Sequence, residues 1–538
     1  MKTLIWLCFV AAAQAQIQDV SGSKIKAHVK FLSSDLLEGR GVGTRGGDLA
    51  AEYIASQFAV AGAKPAGDGG TYFQKVPLVG VTTLADSTLV ATSGGKSASF
   101  EWQKEFVGGS HRQQTNEKFD AEVVFVGHGI IAPEERWNDF KDVDVRGKII
   151  VLFTNEPQPE NPEVFKGKTL TYYGRWTYKY EQAVRMGALG ALIIHTTPTA
   201  GYGWEVVRNS WSKEDPQVRL EPLKPALALA GWMTQDAGQK LFAMAGKTVD
   251  EMLHAADSRD FRPMPLGIRL RGNFNAKVRP IESKNVVAVV PGSDARLKHE
   301  YVIFTAHWDH LGVALAVNGD TIYNGAIDNA TGCGILLETA RAWAAMEQKP
   351  RRSALFLSVT AEEAGLRGSE YYGQHPLVPL GKTALDINYD ALYPWGRTKD
   401  IVTLGADRTT VWPIVQEAAQ RYQYEIQPDP RPEQGSYYRS DHFMLARVGV
   451  PSFSVKTGPL IFGKSPAYSA EMFAEYNTLH YHQPSDEYHE EWDFSGIEQA
   501  AKFGMLIGLN VANSEVMPTW NAGDEFLPAR VASGVSTN

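Results

Sequence analysis

An α/β fold with a mostly parallel central sheet and helices on both faces is predicted for residues 280–538. Six short β-forming runs, at 285–290, 301–306, 354–359, 383–389, 401–404 and 450–455, are separated by helical stretches. Alternation of this kind builds parallel sheets with crossover helices. The clearest helix, 333–347, sets Leu336, Ala340 and Trp343 at three- and four-residue steps. Ligands of such sheets bind beyond the carboxyl ends of the strands, so chemistry is sought there.

From the amino terminus, Lys2 precedes an apolar run, Leu4 to Ala13, that ends in Ala13-Gln14-Ala15. A charged start, a short greasy middle and a small-x-small ending read as a secretory signal over 1–15, so an exported protein is expected, periplasmic or released. The mature chain would begin near Gln16 and keep only Cys333, which leaves no internal disulfide and no set of thiolate ligands. Any metal must then be held by His, Asp and Glu. No later run reaches the ~18 apolar residues of a membrane span. The 53 basic and 61 acidic residues give −8, with no Lys/Arg run that would suggest a nucleic-acid surface.

At 538 residues more than one domain is expected. Residues 16–115 are expected to form a helical segment packing on the catalytic domain. Val29, Leu32 and Leu36, then Leu49, Tyr53, Ile54 and Phe58, follow a helical period. Between the two runs, Gly41, Gly43 and Gly46 match GxGxxG. That fingerprint must follow a strand, and here it follows a helical stretch, so the segment reads as a flexible connector. Residues 116–279 change to short β runs, at 121–127, 148–153 and 191–195, and hold no cluster of catalytic groups.

Three strands of the last region run into metal-type ligands. The run 301–306 delivers His307-Trp308-Asp309-His310, and the next segment delivers Asp328-Asn329 at the mouth of a helix. The run 354–359 delivers Glu362-Glu363, 383–389 delivers Asp390, and His482 follows late in the chain. Singly, each has an ordinary reading: a structural histidine, a helix cap, a solvated acidic pair. Together, two histidines and three carboxylates without a thiolate suit zinc or a similar divalent ion. Two ions about 3.5–4 Å apart need one bridging carboxylate and two further ligands each. Five residues meet that count. Adjacent glutamates can divide labour, one on metal and one carrying a proton.

The segments 307–312, 325–332, 360–365 and 481–486 (His307-Trp308-Asp309-His310-Leu311-Gly312; Gly325-Ala326-Ile327-Asp328-Asn329-Ala330-Thr331-Gly332; Thr360-Ala361-Glu362-Glu363-Ala364-Gly365; Tyr481-His482-Gln483-Pro484-Ser485-Asp486) resemble the co-catalytic zinc aminopeptidase family. Val143-Asp144-Val145-Arg146-Gly147-Lys148-Ile149 resembles the signature of the protease-associated domain, a β-rich insert of secreted peptidases. The resemblance implies a zinc-peptidase fold over 280–538, an insert over 116–279, and two zinc ions per chain. By the same likeness His307, Asp328 and Asp390 would hold one ion, and Asp328, Glu363 and His482 the other. Asp309 would orient His307, Glu362 would be the general base, and Tyr481 would hydrogen-bond the oxyanion. Expected substrates are peptides with a free N-terminus. A carboxypeptidase or dipeptidase of the same two-metal type needs a cationic pocket, for which Arg367, Arg439 and Arg447 are candidates. An inactive receptor-like binding protein would have lost ligands. A serine hydrolase is disfavoured, because no GxSxG elbow precedes a helix.

Overall fold

Strands and helices alternate through the second half of the chain in a computed structural model that describes residues 17, 19–157, 165, 167, 169–201 and 203–536. The expected signal segment lies outside the described residues. The chain divides into two units: one takes the residues up to Pro77, Glu282–Pro430 and those from Arg439, the other takes Leu78–Ile281 and Arg431–Tyr438.

In chain order the first unit uses α1 (Gly22–Leu32), α2 (Arg45–Val60), β1 (Met264–Val290, from residue 282), β2 (Tyr301–His307), β3 (Gly312–Val317), β4 (Asp320–Tyr323) and α3 (Thr331–Ala344). There follow β5 (Ser353–Val359), α4 (Arg367–Gln374), β6 (Thr383–Tyr389), β7 (Asp400–Leu404), α5 (Trp412–Tyr422), β8 (Glu425–Gln427), α6 (His442–Arg447), β9 (Ser452–Thr457) and α7 (Ser495–Asn513). The strands expected from the sequence are present, with ends shifted by one or two residues in most cases.

The sheet runs β1-β5-β2-β6-β9-β7-β8. Strands β5, β2, β6 and β9 are mutually parallel, whereas β1 on β5 and β7 on β9 are antiparallel. Because β5, β2 and β6 are parallel neighbours, their carboxyl ends share one edge. Side chains alternate across the sheet. Val302, Phe304 and Ala306 join Ala354 and Phe356 in a core with α1, α2, α3, α5 and α7. Ile303, Leu355, Leu357 and Val359 meet Tyr372 of α4 and Leu445 of α6 on the other face. The rings of Phe304 and Phe356 stack at 5.5 Å, with Trp343 edge-on to Phe304.

The amino-terminal helices are as expected in position, but Leu36 and Leu49 face solvent while Ile25, Val29, Ile54 and Phe58 are buried. The expected boundary at residue 116 falls instead at 78. Strands Phe73–Thr83, Thr88–Ser93 and Lys96–Phe100 follow α2, and residues 88–92 join the second unit by antiparallel pairing with residues 269–273. The second unit is mixed rather than simply β-rich. Its strands Asn116–Phe125, Ile149–Phe153, Gly190–Ile194 and Leu229–Met233 are parallel, and helices such as Gln235–Ala243 pack on them.

The segment expected to be a flexible connector is built into the first unit. Gly46 and Gly47 open α2, and Gly39 and Arg40 end a tight turn. Gly39 has φ +64, and a Cβ there would lie 2.5 Å from the carbonyl of Tyr323 and 2.6 Å from that of Gly312. Only glycine fits.

Candidate metal centre

The common edge of β5, β2 and β6 receives Glu362 and Glu363, His307, and Asp390. His307 closes β2 fully buried. Its Nδ1 lies 3.1 Å from the carbonyl oxygen of Asp309. A carbonyl only accepts, so Nδ1 carries a proton and Nε2 is the ring atom turned to the site. Nε2 stands 3.2 Å from Oδ1 of Asp328, 3.6 Å from Oδ1 of Asp390 and 4.0 Å from Oε2 of Glu362.

Asp328 sits in the turn Ala326–Ala330, which leads into α3. The main-chain N–H groups of Ile327 and Asp328 donate to the Asp486 carboxylate at 3.0 and 3.1 Å. Tyr476 donates its hydroxyl to the same carboxylate. Asp328 directs Oδ1 to His307 and Oδ2 to Nε2 of His482, 3.4 Å away. Asn329 accepts from Gly332 N in the first turn of α3, and it also donates to the Tyr389 carbonyl and accepts from Ala391 N. It thereby clamps the chain on both sides of Asp390.

Glu363 takes the second imidazole: Oε2 is 3.1 Å from Nε2 of His482, and Oε1 is 2.7 Å from Nδ1 of His310. His310, which strand alternation would point away from His307, thus backs Glu363. The Asp309 carboxylate lies 3.8 Å from His307 Nδ1, and it is the Asp309 carbonyl that bonds the ring. The carboxylate instead accepts the N–H groups of Glu362 and Glu363, at 3.0 and 3.4 Å. Tyr481 stacks on His482, centroids 3.9 Å apart. Ala361, Ala391 and His482 all have φ between +51 and +57. Left-handed backbone at non-glycine residues is strained and persists only where the surroundings hold it.

Five side chains named from the sequence, His307, Asp328, Glu363, Asp390 and His482, are therefore gathered in one place, with Glu362 beside them. Two groups have ligand atoms within 4.8 Å of one another: His307, Asp328 and Glu363, and His307, Glu362 and Asp390. The fit to a divalent cation rests on orphaned atoms. His307 Nε2 and Asp328 Oδ1 are buried without a hydrogen bond although 3.2 Å apart. Two acceptors facing each other repel unless a proton or a cation lies between them. Imidazole and carboxylate ligands without thiolate suit zinc and its neighbours.

Electrostatics separates the two glutamates. Burial pushes Glu362 well above the usual carboxyl range, and Glu363, Asp390 and Asp441 push further against the opposing His307. Burial works on Glu363 in the same direction, but His482 and His310 outweigh it and hold it low. Burial also depresses His482, yet Glu363 and Asp328 lift it to about 9. Asp309 is pushed up to about 7 by burial.

Three contributors were given no role in the sequence reading. Asp441 is fully buried, accepts a 2.6 Å bond from Ser369, and is pushed up to about 7 by burial. Asp486 and Arg40 act on main-chain atoms, which no side-chain pattern discloses.

Residues 285–502 match the model of peptidase family M28. An aminopeptidase from Aneurinibacillus sp. strain AM-1 shares the fold, with a TM-score of 0.52 at 18% identity over 95% of this chain and 98% of that one. A zinc aminopeptidase from Bacillus subtilis aligns at 16% identity with a TM-score of 0.44, over 94% of this chain and 97% of that one. A peptidase M28 precursor from Shewanella amazonensis aligns at 19% identity with a TM-score of 0.44, over 94% and 96%. All the clustered side chains fall inside the span, residues 285–502, that matches the model of peptidase family M28.

Proposed function

We propose that the protein is an exported aminopeptidase that uses two zinc ions to remove amino acids from the N-termini of peptides. The observation that carries this reading is the division of Asp328, whose two oxygens face two different imidazoles, each accompanied by a further carboxylate. His307, Asp328 and Asp390 would hold one ion, and Asp328, Glu363 and His482 the other. When bound, the pair would acidify a water and polarise the scissile carbonyl. Glu362 stands farther from His307 than either Asp328 or Asp390 and has the raised proton affinity of a base that must also release its proton as an acid. It takes the proton of the attacking water and passes it to the nitrogen of the leaving amine. Asp309 fixes both glutamates through their N–H groups, and Tyr481 donates its hydroxyl to the developing oxyanion. The signal over 1–15 directs export, and residues 116–279 serve as a protease-associated insert.

A panel of aminoacyl-anilides, with the amine free or blocked, tests the reaction when run beside metal analysis. Release of anilide from free-amine substrates by protein carrying two zinc ions is expected. Cleavage of blocked substrates alone contradicts the reading. N-terminal sequencing of the exported protein should begin near Gln16.

A further inference from the structure

We propose that Arg40 is a positioning residue for the metal centre, tying the backbone just after His307 to the backbone just before Asp328 and so setting the gap between those two side chains. The inference rests on the metal-centre reading above. It concerns a residue outside the span 285–502 that the family model covers.

Arg40 is 1% exposed, and its guanidinium donates to main-chain carbonyls. Nε donates to Trp308 at 2.7 Å, Nη1 to Asn324 at 2.6 Å, and Nη2 to Gly325 at 2.9 Å. Trp308 follows His307 directly, and Gly325 lies in the turn that presents Asp328. The Arg40 carbonyl in turn accepts from the N–H of His310. Both ligand-bearing segments are thus fastened to one residue. A guanidinium is a planar fork with fixed directions, so its carbonyl partners keep a fixed separation; an ammonium on a flexible stem cannot impose that.

The approach of this side chain is itself built. Glu38, Gly39 and Arg40 have φ of 49, 64 and 51 in succession. Two of the three are not glycine, so the turn is strained and held by what packs on it. In the turn that presents Asp328, Asp486 holds the N–H groups of Ile327 and Asp328. Carbonyls before Asp328 are therefore gripped by Arg40, and amides at it by Asp486. The guanidinium also bonds the Leu32 carbonyl at the end of α1, a contact that serves the fold alone.

Arg530 supplies the control. It too is a fully buried arginine bonded to carbonyls, those of Pro518 and Leu380, and Leu380 precedes β6 at the strand end opposite Asp390. Metal-free wild type, Arg40→Lys, Arg40→Gln and Arg530→Lys are titrated with Co²⁺, whose visible spectrum reports coordination, and with Zn²⁺ against a chelator, and their melting is recorded. For Arg40→Lys, ion affinity is expected to fall about 10- to 100-fold with an altered cobalt spectrum, the range seen when outer partners of metal ligands are removed. Its kcat should drop more than its KM rises. Arg530→Lys should melt lower while keeping wild-type affinity and spectrum. The proposal is overturned if the folded Arg40 variants bind both ions as wild type does. It is overturned equally if Arg530→Lys loses as much affinity, or if neither Arg40 variant folds at saturating zinc. Wild-type protein that binds no divalent ion removes the metal-centre reading itself, and this inference with it.

Discussion

Glu362 and Glu363 are neighbours in the chain but occupy opposite electrostatic surroundings. Glu363 lies between two imidazoles, at 2.7 and 3.1 Å, whereas Glu362 faces Glu363, Asp390 and Asp441. In the proposed function Glu362 carries both proton transfers. Glu362→Gln should therefore lower kcat by about 10²–10⁴ while leaving the metal content intact, as read by steady-state kinetics and elemental analysis. Retained turnover removes its role. In the second unit, Glu156 is buried and accepts from the N–H and hydroxyl of Thr171. Burial pushes it up to about 7 from the ordinary 4.5. The folded state then binds the extra proton, so its stabilising contribution is complete below pH 4.5 and is lost as pH rises through about 7. The loss is on the order of 3 kcal/mol at most. Urea midpoints of Glu156→Gln should fall less steeply than wild type across that window; equal slopes contradict the assignment.

The elements of the first unit explain how side chains far apart in sequence meet. Three parallel strands in the order β5-β2-β6 end at one edge, and each is followed by its polar residues. That much was legible in the sequence, because a buried parallel strand is a continuous apolar run and the polar residues that end it stand out. Other parts were not. The turn at Gly39-Arg40 looked like a connector, since its glycines serve close packing and left-handed backbone, which resemble flexibility in a sequence. The strand Met264–Val290 is unbroken where the chain passes from the second unit into the first at Ile281/Glu282. The strand edge depends on the core beneath it. Phe304 is fully buried between Phe356, Trp343 and the backbone of Gly508, where a Cβ would come within 2.6 Å of its ring. Phe304→Ala should destabilise the first unit by about 3–5 kcal/mol, measured by urea unfolding. A change below about 1 kcal/mol would show that this core layer repacks freely.

Across the whole molecule, a fold of mixed strands and helices concentrates buried charge at one strand edge. His307, Asp328, Glu362, Glu363, Asp390 and His482 come from separate segments between residues 307 and 482. In the proposed function a pair of divalent cations offsets these carboxylates. Anomalous scattering from zinc-soaked crystals, recorded at the zinc edge, tests this most directly. Two peaks are expected, one bounded by His307, Asp328 and Asp390 and the other by Asp328, Glu363 and His482, with Glu362 coordinated to neither. A single peak, or none, or Glu362 found as a ligand in place of Asp328, would contradict it.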